Sequence, residues 1–385
     1  MGTTPSIRLK GMAWDHPRGY EPLRATSTAF SKIRPEVTIQ WDIRSLKEFG
    51  DMPIENLIGA YDIITIDHPY MGQAHADKLL VPLEGLISKK SMDCLRGRSV
   101  GPSFASYAYE GHQYALPVDA AALVAAYRND LIHHLKLELP KTRAELFDFY
   151  GQVPHGHKVA WPLCATDLWC TFLTLCAQDA GRAFIKDKSI EEKVGVRVLD
   201  ELKRHMDFLH PMSINWNPIQ ILDRMGDGDE IIYSPFLFGY TNYSRTGYTK
   251  NRVDFTNSPT NPRTDVSTLL GGVGLAISVH CEHCDLAAAY IGYVASPEVQ
   301  EGIYTENGGQ PANLDAWQSR ANNRLCNGFF DHTLETLEKA YVRPRHRGWN
   351  RFQEEGAHIL HQGLRYDTPS EEMMRKLNQL YESIA

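Results

Sequence analysis

Residues 271–317 read GGVGLAISVHCEHCDLAAAYIGYVASPEVQEGIYTENGGQPANLDAW, and the rest of the chain is best understood outward from them. Leu269 to Ser278 is an apolar run of strand length that carries a cluster of glycines. Asp285 to Ala295 repeats apolar residues at helical spacing, Ser296-Pro297 interrupts the pattern, and Glu298 to Thr305 resumes it. Upstream, the chain shows the same change between a period of two and a period near four. Ile7 to Leu9 opens an alternation that ends in the loop Trp14-Asp15-His16-Pro17-Arg18-Gly19, and a helix is expected from Pro22 to Phe30. A second strand follows at Val37 to Ile43, a helix at Ser45 to Gly59, and an apolar strand at 61–67, YDIITID, closed by His68-Pro69.

Strands separated by helices predict a parallel sheet covered on both faces. In such sheets ligands sit beyond the carboxyl ends of the strands, where loops converge and helix N–H groups are free. The 14–19 and 67–70 loops both fall at such ends. From Gly111 the run GHQYALPVDAAALVAAYRNDLI carries a strand toward Val118 and then a further apolar segment, the form expected of a chain crossing between lobes. Thr142 followed by Glu145 has capping-box spacing and starts a helix. Helical periodicity covers 167–179 and 190–208, while Ile219 to Met225 leads into the acidic turn 226–230, read as solvated, and a strand over Ile231 to Pro235. No repeat or low-complexity linker is present, so short ordered crossings must join the lobes.

A chain of 385 residues exceeds one ordinary core, which predicts two lobes. With 43% hydrophobic and 23% charged residues it can fill them, unlike a disordered chain. Its 40 basic against 47 acidic residues leave a net charge of -7, so nothing suggests a nucleic-acid or anionic-membrane partner. No segment approaches a membrane span. The first residues hold no apolar run of signal-peptide length, so the chain as written is expected in the cytoplasm; a mature periplasmic chain whose leader had been removed would read the same. Seven cysteines cannot all pair, and reduced thiols are expected.

The order of elements resembles the family 1 extracellular solute-binding proteins, the maltose-binding type of periplasmic receptor that feeds ABC importers. The resemblance rests on the glycine-rich strand, the alanine-rich helix with its Ser-Pro-Glu-x-Gln step at 296–300 and the Gly-x-x-Ala loop at 309–312. YDIITIDHPYMGQAHADKLLVPLEGLI, GHQYALPVDAAALVAAYRNDLI and LPKTRAELF support it in the same order. The loop at 14–19 departs from the small polar residues expected there. The resemblance implies a periplasmic binding protein-like, type II α/β fold with one lobe of residues 1–118 plus 273–325 and another of 119–272 plus 326–385. Crossings near Pro117 to Ala126 and Val266 to Gly274 would act as hinges of a closing cleft. It also implies a monomer that binds a carbohydrate-like molecule or small organic acid, an ABC permease as partner, no cofactor and no catalysis.

Candidate ligand residues follow from strand ends and side-chain chemistry. Trp14 offers a stacking face, Asp15 a carboxylate, and His16 and Arg18 two possible cationic donors, Arg18 taken as exposed, with a structural, salt-bridged loop as the alternative. Asp67 and His68 end the third strand, with a cap by Asp67 and a packed histidine as the alternative. Asp119 serves ligand or hinge, and Gly272 lies on the second crossing. In the second lobe the indoles of Trp161 and Trp169 and the aromatic run 233–243, with Tyr240 and Asn242, could meet a polar ring. His280-Cys281-Glu282-His283-Cys284 tempts as a zinc site, but it lacks a second ligand pair and reads as a surface loop; no metal is expected. No phosphate loop, nucleophile elbow or His-Glu-x-x-His occurs, and no catalytic residue is assigned. An enzyme acting on a small metabolite from the same scaffold stays open as an alternative, as does a regulator's effector domain, although no helix-turn-helix fits before Ile7 or after Glu371.

Overall fold

The computed structural model describes residues 7–45 and 54–384. It contains two compact α/β units. The first holds the described residues up to Ala121 together with Gly271–Leu325 and Arg343–Trp349; the second holds Ala122–Leu270, Cys326–Val342 and the described residues from Asn350 onward. The principal strands are β1 (Ile7–Trp14), β2 (Val37–Arg44), β3 (Ile63–Ile66), β4 (Ala115–Tyr127), β5 (Lys158–Val159), β6 (Ile231–Phe238), β7 (Asp254–Thr256) and β8 (Leu270–Ile277). Helices used below are α1 (Pro17–Ile33), α2 (Glu145–Gln152), α3 (Ala165–Ala180), α4 (Glu192–Met206) and α5 (Cys284–Ala295).

In the first unit β1 lies between β2 and β3 and is parallel to both, and β8 continues the sheet beyond β3. β8 runs antiparallel to β3, so the sheet is mixed where an all-parallel one was expected. Alternate residues serve opposite faces. Leu9, Ile63, Leu275 and Ile277 pack with Leu23 and Phe30 of α1 and Ile291 and Val294 of α5. Met12, Ile64, Ile66 and Ala276 pack on the other side with Leu57, Leu80 and Tyr107. Two buried faces explain why the strand IITI is apolar throughout. Each such Leu or Ile contributes about 1.5–3 kcal/mol by leaving water.

In the second unit β6 pairs parallel with β5 and antiparallel with β4, which also pairs antiparallel with β7. β4 is one continuous strand of 13 residues, where a strand and a separate segment were expected. The backbone of Gly272 approaches it closely at Asp119 and Ala120. The helix expected to start at Thr142 begins at Glu145 with Ala144 as its N-cap, although the bonds suggested by the spacing form: the Glu145 carboxylate accepts from the N–H groups of Lys141 and Thr142 at 2.7 and 3.2 Å. The acidic turn is anchored rather than merely solvated, because the buried Arg128 guanidinium donates to the carbonyls of Met225 and Gly228 and to Asp130 and Asp229.

Three further boundaries differ from expectation. α1 begins at Pro17, not Pro22, because His16 caps it and Pro17 supplies the preset first-turn φ. Of the helix expected over 45–59, the structure shows Ile54–Ile58, and 46–53 lie outside the described residues. Residues 343–349, placed above with the second lobe, belong to the first unit. Arg345 holds them there by donating to the carbonyls of Ala105 and Ser106 at 2.8 and 3.0 Å, and Arg347 reaches Asp77 at 2.8 Å.

Gly272 in β8 has a φ of 114°, and a Cβ there would run into the carbonyl oxygen of Asp119. Gly272→Ala is therefore expected to lose stability through both strain and clash. Gly85→Ala, at a φ of 91° with open space around it, should lose only the strain, about 1–3 kcal/mol. Urea unfolding midpoints that fall equally for the two variants would mean that the packing on Asp119 contributes nothing.

Candidate ligand-binding site

β1 ends at Trp14, α1 starts at Pro17, and β3 ends at Ile66, so residues 14–18 and 67–68 occupy neighbouring strand ends of the first unit. The Nδ1 of His16 accepts from the N–H of Arg18 at 3.0 Å, which requires a neutral ring with its proton on Nε2. Burial, reinforced by the Arg18 charge, pushes His16 down to about 3. From the first turn of the helix the Arg18 side chain reaches Asp119 on β4. Its Nε donates to Oδ2 at 2.7 Å and its Nη2 to Oδ1 at 2.5 Å, with 5% and 0% of the two side chains exposed. Burial raises the Asp119 carboxyl, and the guanidinium opposes that shift. Around this pair, Ala120 donates to the carbonyl of Gln310 at 3.1 Å, and the Gln310 amide returns a bond to Ala120 at 2.8 Å.

At the end of β3 the Asp67 carboxylate accepts from the N–H of His68 at 2.8 Å, and its other oxygen takes Nη2 of Arg343. Its partial burial would raise it, but Arg343 and His68 hold it well below the usual carboxylate range. His68 is fully buried against the edge of Tyr107, with ring centroids 6.3 Å apart, and burial lowers it to about 4 despite Asp67. The indole of Trp14 lies on Gly19, where a Cβ would overlap the ring. Asp15 alone of this group presents an exposed side chain.

In the second unit Tyr240 precedes a short turn, Thr241–Ser244, in which Asn242 is buried and its Oδ1 has no hydrogen-bond partner. Tyr243 donates to Asp223 at 2.6 Å. The start of α3 holds Cys164, whose thiol donates to Asp167 at 3.0 Å; burial lifts Asp167 to about 7 and the thiol far above its normal range, so the pair supplies no thiolate nucleophile.

A sequence profile of the bacterial extracellular solute-binding proteins matches residues 54–323 of the chain. The chain belongs to that family. Solved structures similar to this solute-binding protein include maltose-bound MalE3 of T. maritima, at 16% identity over 99% of this chain and 100% of that one, with a TM-score of 0.85. An ABC transporter solute-binding protein of Agrobacterium radiobacter in complex with ribitol matches over 100% of both chains at 16% identity and a TM-score of 0.85. The GacH receptor of Streptomyces glaucescens, solved unliganded and with acarbose, gives 18%, 98% of both chains and 0.80. At such identities the likeness establishes the fold, a periplasmic binding protein-like α/β architecture.

The solute-binding chain brings together Trp14, Asp15, His16, Arg18, Asp119 and Gly272, with Asp67 and His68 at the adjoining strand end. It corrects several roles expected of them. His16 and Arg18 are not exposed donors: the cap and the ion pair draw both inward. His68 is the packed histidine, and Asp67 caps a turn. Trp161 and Trp169 are wholly buried in the second unit, against His205 and Phe236 and against Phe352 respectively. α3 is buried on every face from Asp167 to Gln178, so its position after a loop gave no hint of an interior helix. The strand runs on to Phe238, so Tyr233 and Phe236 both belong to β6 and are core. Cys281 is buried under the 280–284 turn, which pushes its thiol up to about 12, and all seven cysteines are free. Among the described residues no group of three or more His, Cys, Asp or Glu could hold a metal. Sequence reasoning missed Tyr107, Gln310 and Arg343; the dense run RPRHR at 343–347 was the available signal for the last.

Arg18→Ala should strand a buried carboxylate and cost about 3–5 kcal/mol. Combining Arg18→Met with Asp119→Leu should recover much of that loss, and a double-mutant cycle in urea without coupling would contradict the ion pair's role. His16 gives a pH test. Its native value lies below that of the unfolded chain, so its contribution is complete above about pH 6.5 and declines as pH falls toward 3. His16→Asn keeps a cap but cannot titrate, and between pH 7.5 and 5 it should lose about 2 kcal/mol less stability than the wild type. Parallel pH profiles for the two proteins would refute the assignment.

Proposed function

We propose that this protein is a receptor for a neutral polyhydroxylated molecule, a sugar or polyol, which it delivers unchanged to an ABC importer from outside the cytoplasmic membrane. The observation that carries this reading is where the charges at the strand ends go. Arg18 and Arg343 are each spent on an internal carboxylate, Asp119 and Asp67, while Asp15 remains exposed. An organic acid would have to compete with those carboxylates for its cations and would meet Asp15 as a like charge. A hydroxyl donates to Asp15 at no such cost. On the second unit, the unpartnered Oδ1 of Asn242, beside Tyr240, offers an acceptor to a hydroxyl. Family membership supports the receptor role and the extracellular setting. The printed ligands of the similar structures, maltose, ribitol and D-mannitol among them, point to the same chemical class. No helix among the described residues is long and apolar enough to cross a membrane.

Calorimetric titration with neutral sugars and polyols, and with their aldonic acids, tests the reading. A neutral member should bind and be recovered chemically intact, and the acids should not bind. Asp15→Asn should weaken binding by about 1.5–3 kcal/mol while moving folding stability by less than about 0.5 kcal/mol. Binding of the acids in preference to every neutral compound would overturn it.

A further inference from the structure

At the end of the first unit's sheet opposite the strand ends that carry Asp15 and Asp67, two cysteines share one turn. β8 runs antiparallel to β3, with Gly274 opposite Ile66 and Ile277 opposite Ile63, so the chain leaves β8 beside the start of β3. There the N–H of Ser278 donates to the carbonyl of Asp62 at 3.0 Å, and the N–H of Cys281 donates to the carbonyl of Ser278 at 3.1 Å. Glu282 and His283 form the turn that follows, and Cys284 is the first residue of α5. Leu286, Ala287, Tyr290 and Ile291 of α5 are buried in the core of the sheet. The turn between the cysteines is therefore fixed at both ends, by β8 and by α5.

A turn of this kind keeps its first and fourth Cα atoms within about 7 Å, and a disulfide spans Cα atoms about 4.4–6.8 Å apart. Both sulfurs lie on the turn. Cys284 donates its S–H to the carbonyl oxygen of Cys281 at 3.1 Å. The Cys281 sulfur takes the N–H of His283, and its own S–H meets the Asp62 carboxylate, which the N–H of Lys10 holds in place at 2.8 Å. The two thiols differ in access: Cys281 is 7% exposed and Cys284 is half-buried. Burial lifts Cys281 up to about 12, with Asp62 adding to the effect and the His283 N–H opposing it. At neutral pH it is thus a thiol with a carboxylate at hand to take its proton. The other five cysteines, at 94, 164, 170, 176 and 326, include no such spacing.

We propose that Cys281 and Cys284 form a redox-active dithiol that exchanges with small-molecule disulfides and closes into an intramolecular bridge. Cys284, the reachable thiol, gives its proton to water, and its sulfur attacks one sulfur of the incoming disulfide, R–S–S–R. That S–S bond breaks, one R–S⁻ leaves and is protonated, and a mixed disulfide remains on Cys284. Asp62 then draws the proton from Cys281, whose sulfur attacks that of Cys284, displaces the second R–S⁻ and completes the bridge. The chain loses two electrons and two protons, and the small disulfide gains them as two R–SH molecules. Disulfides are the oxidants available outside the cytoplasmic membrane, where no reducing pool keeps thiols free. The exchange takes place away from Asp15 and Asp67 and does not depend on which solute the protein binds.

The test uses the full chain, reduced with dithiothreitol, desalted without oxygen and incubated in its folded state with oxidised glutathione. After alkylation of the remaining thiols, mass spectrometry should find the peptide that holds residues 281 and 284 unalkylated and two hydrogen atoms lighter than its reduced form. Dithiothreitol should return both thiols. Cys281→Ser should stop with glutathione on Cys284, and Cys284→Ser should leave Cys281 unmodified. Asp62→Asn should take up glutathione at Cys284 as fast as the wild type but close the bridge about tenfold or more slowly, a split that a merely structural role for Asp62 would not give. The proposal is overturned if the folded wild type keeps both thiols in excess oxidised glutathione. It is equally overturned if glutathione stays on Cys284 of the wild type without closure, or if Cys281 bridges to a different cysteine.

Discussion

A buried guanidinium that grips a buried carboxylate with two parallel bonds is the interaction on which the first unit depends. Arg18 and Asp119 are 101 residues apart in sequence, and their pairing locks the first turn of α1 to the strand that leaves this unit. Neither charge tolerates that environment alone, since an isolated ion out of water costs several kcal/mol and only the partner offsets it. Close geometry is thereby enforced around the pair. β8 passes directly over the Asp119 carbonyl, which is why Gly272 occupies a left-handed position that a side chain could not share. Gln310 then closes the edge of β4 with a reciprocal pair of bonds to Ala120.

The same device recurs wherever distant segments must be joined. Arg343 secures Asp67, Arg128 gathers the acidic turn, and Arg143 reaches Asp179 and the carbonyl of Leu175 at 2.8 and 3.2 Å and also pairs with Glu201. Arginine suits this work because its planar fork offers several donors in fixed directions and stays charged. A consequence follows for recognition. A chain that consumes its buried cations internally has few to spend on an anionic ligand, and that links the architecture of the first unit to the neutral solute proposed for it.

Histidines divide along the same line. His16, His68 and His205 are buried, and burial lowers all three, so they act as neutral caps and packed rings. Their common sign makes acid the condition that unfolds this protein, because an unfolded chain accepts protons that these native sites refuse. His75 and His112, by contrast, stand where water reaches them.

Much of the fold was legible from local pattern. The alternation in 7–14 and 37–44, the apolar strand at 63–66 and the glycine-rich strand with its following helix all form where their periods place them, because period follows from which faces an element buries. Family membership was legible for the same reason, being carried by the order of those elements. Three things lay beyond local reading. Exposure was one: Trp14, Arg18, Trp161 and Trp169 look like cleft residues in isolation and are buried by partners far along the chain. The start of α1 was another, since two prolines offered two beginnings and only the His16 cap chose between them. Pairing was the third. Which cation meets which carboxylate depends on segments up to 276 residues apart, and such meetings leave no periodic trace in sequence. Residue types and their order thus determined the architecture and the class of function, whereas the charges left free to meet a ligand were decided by tertiary packing, because burial forces each ion to find its partner inside first.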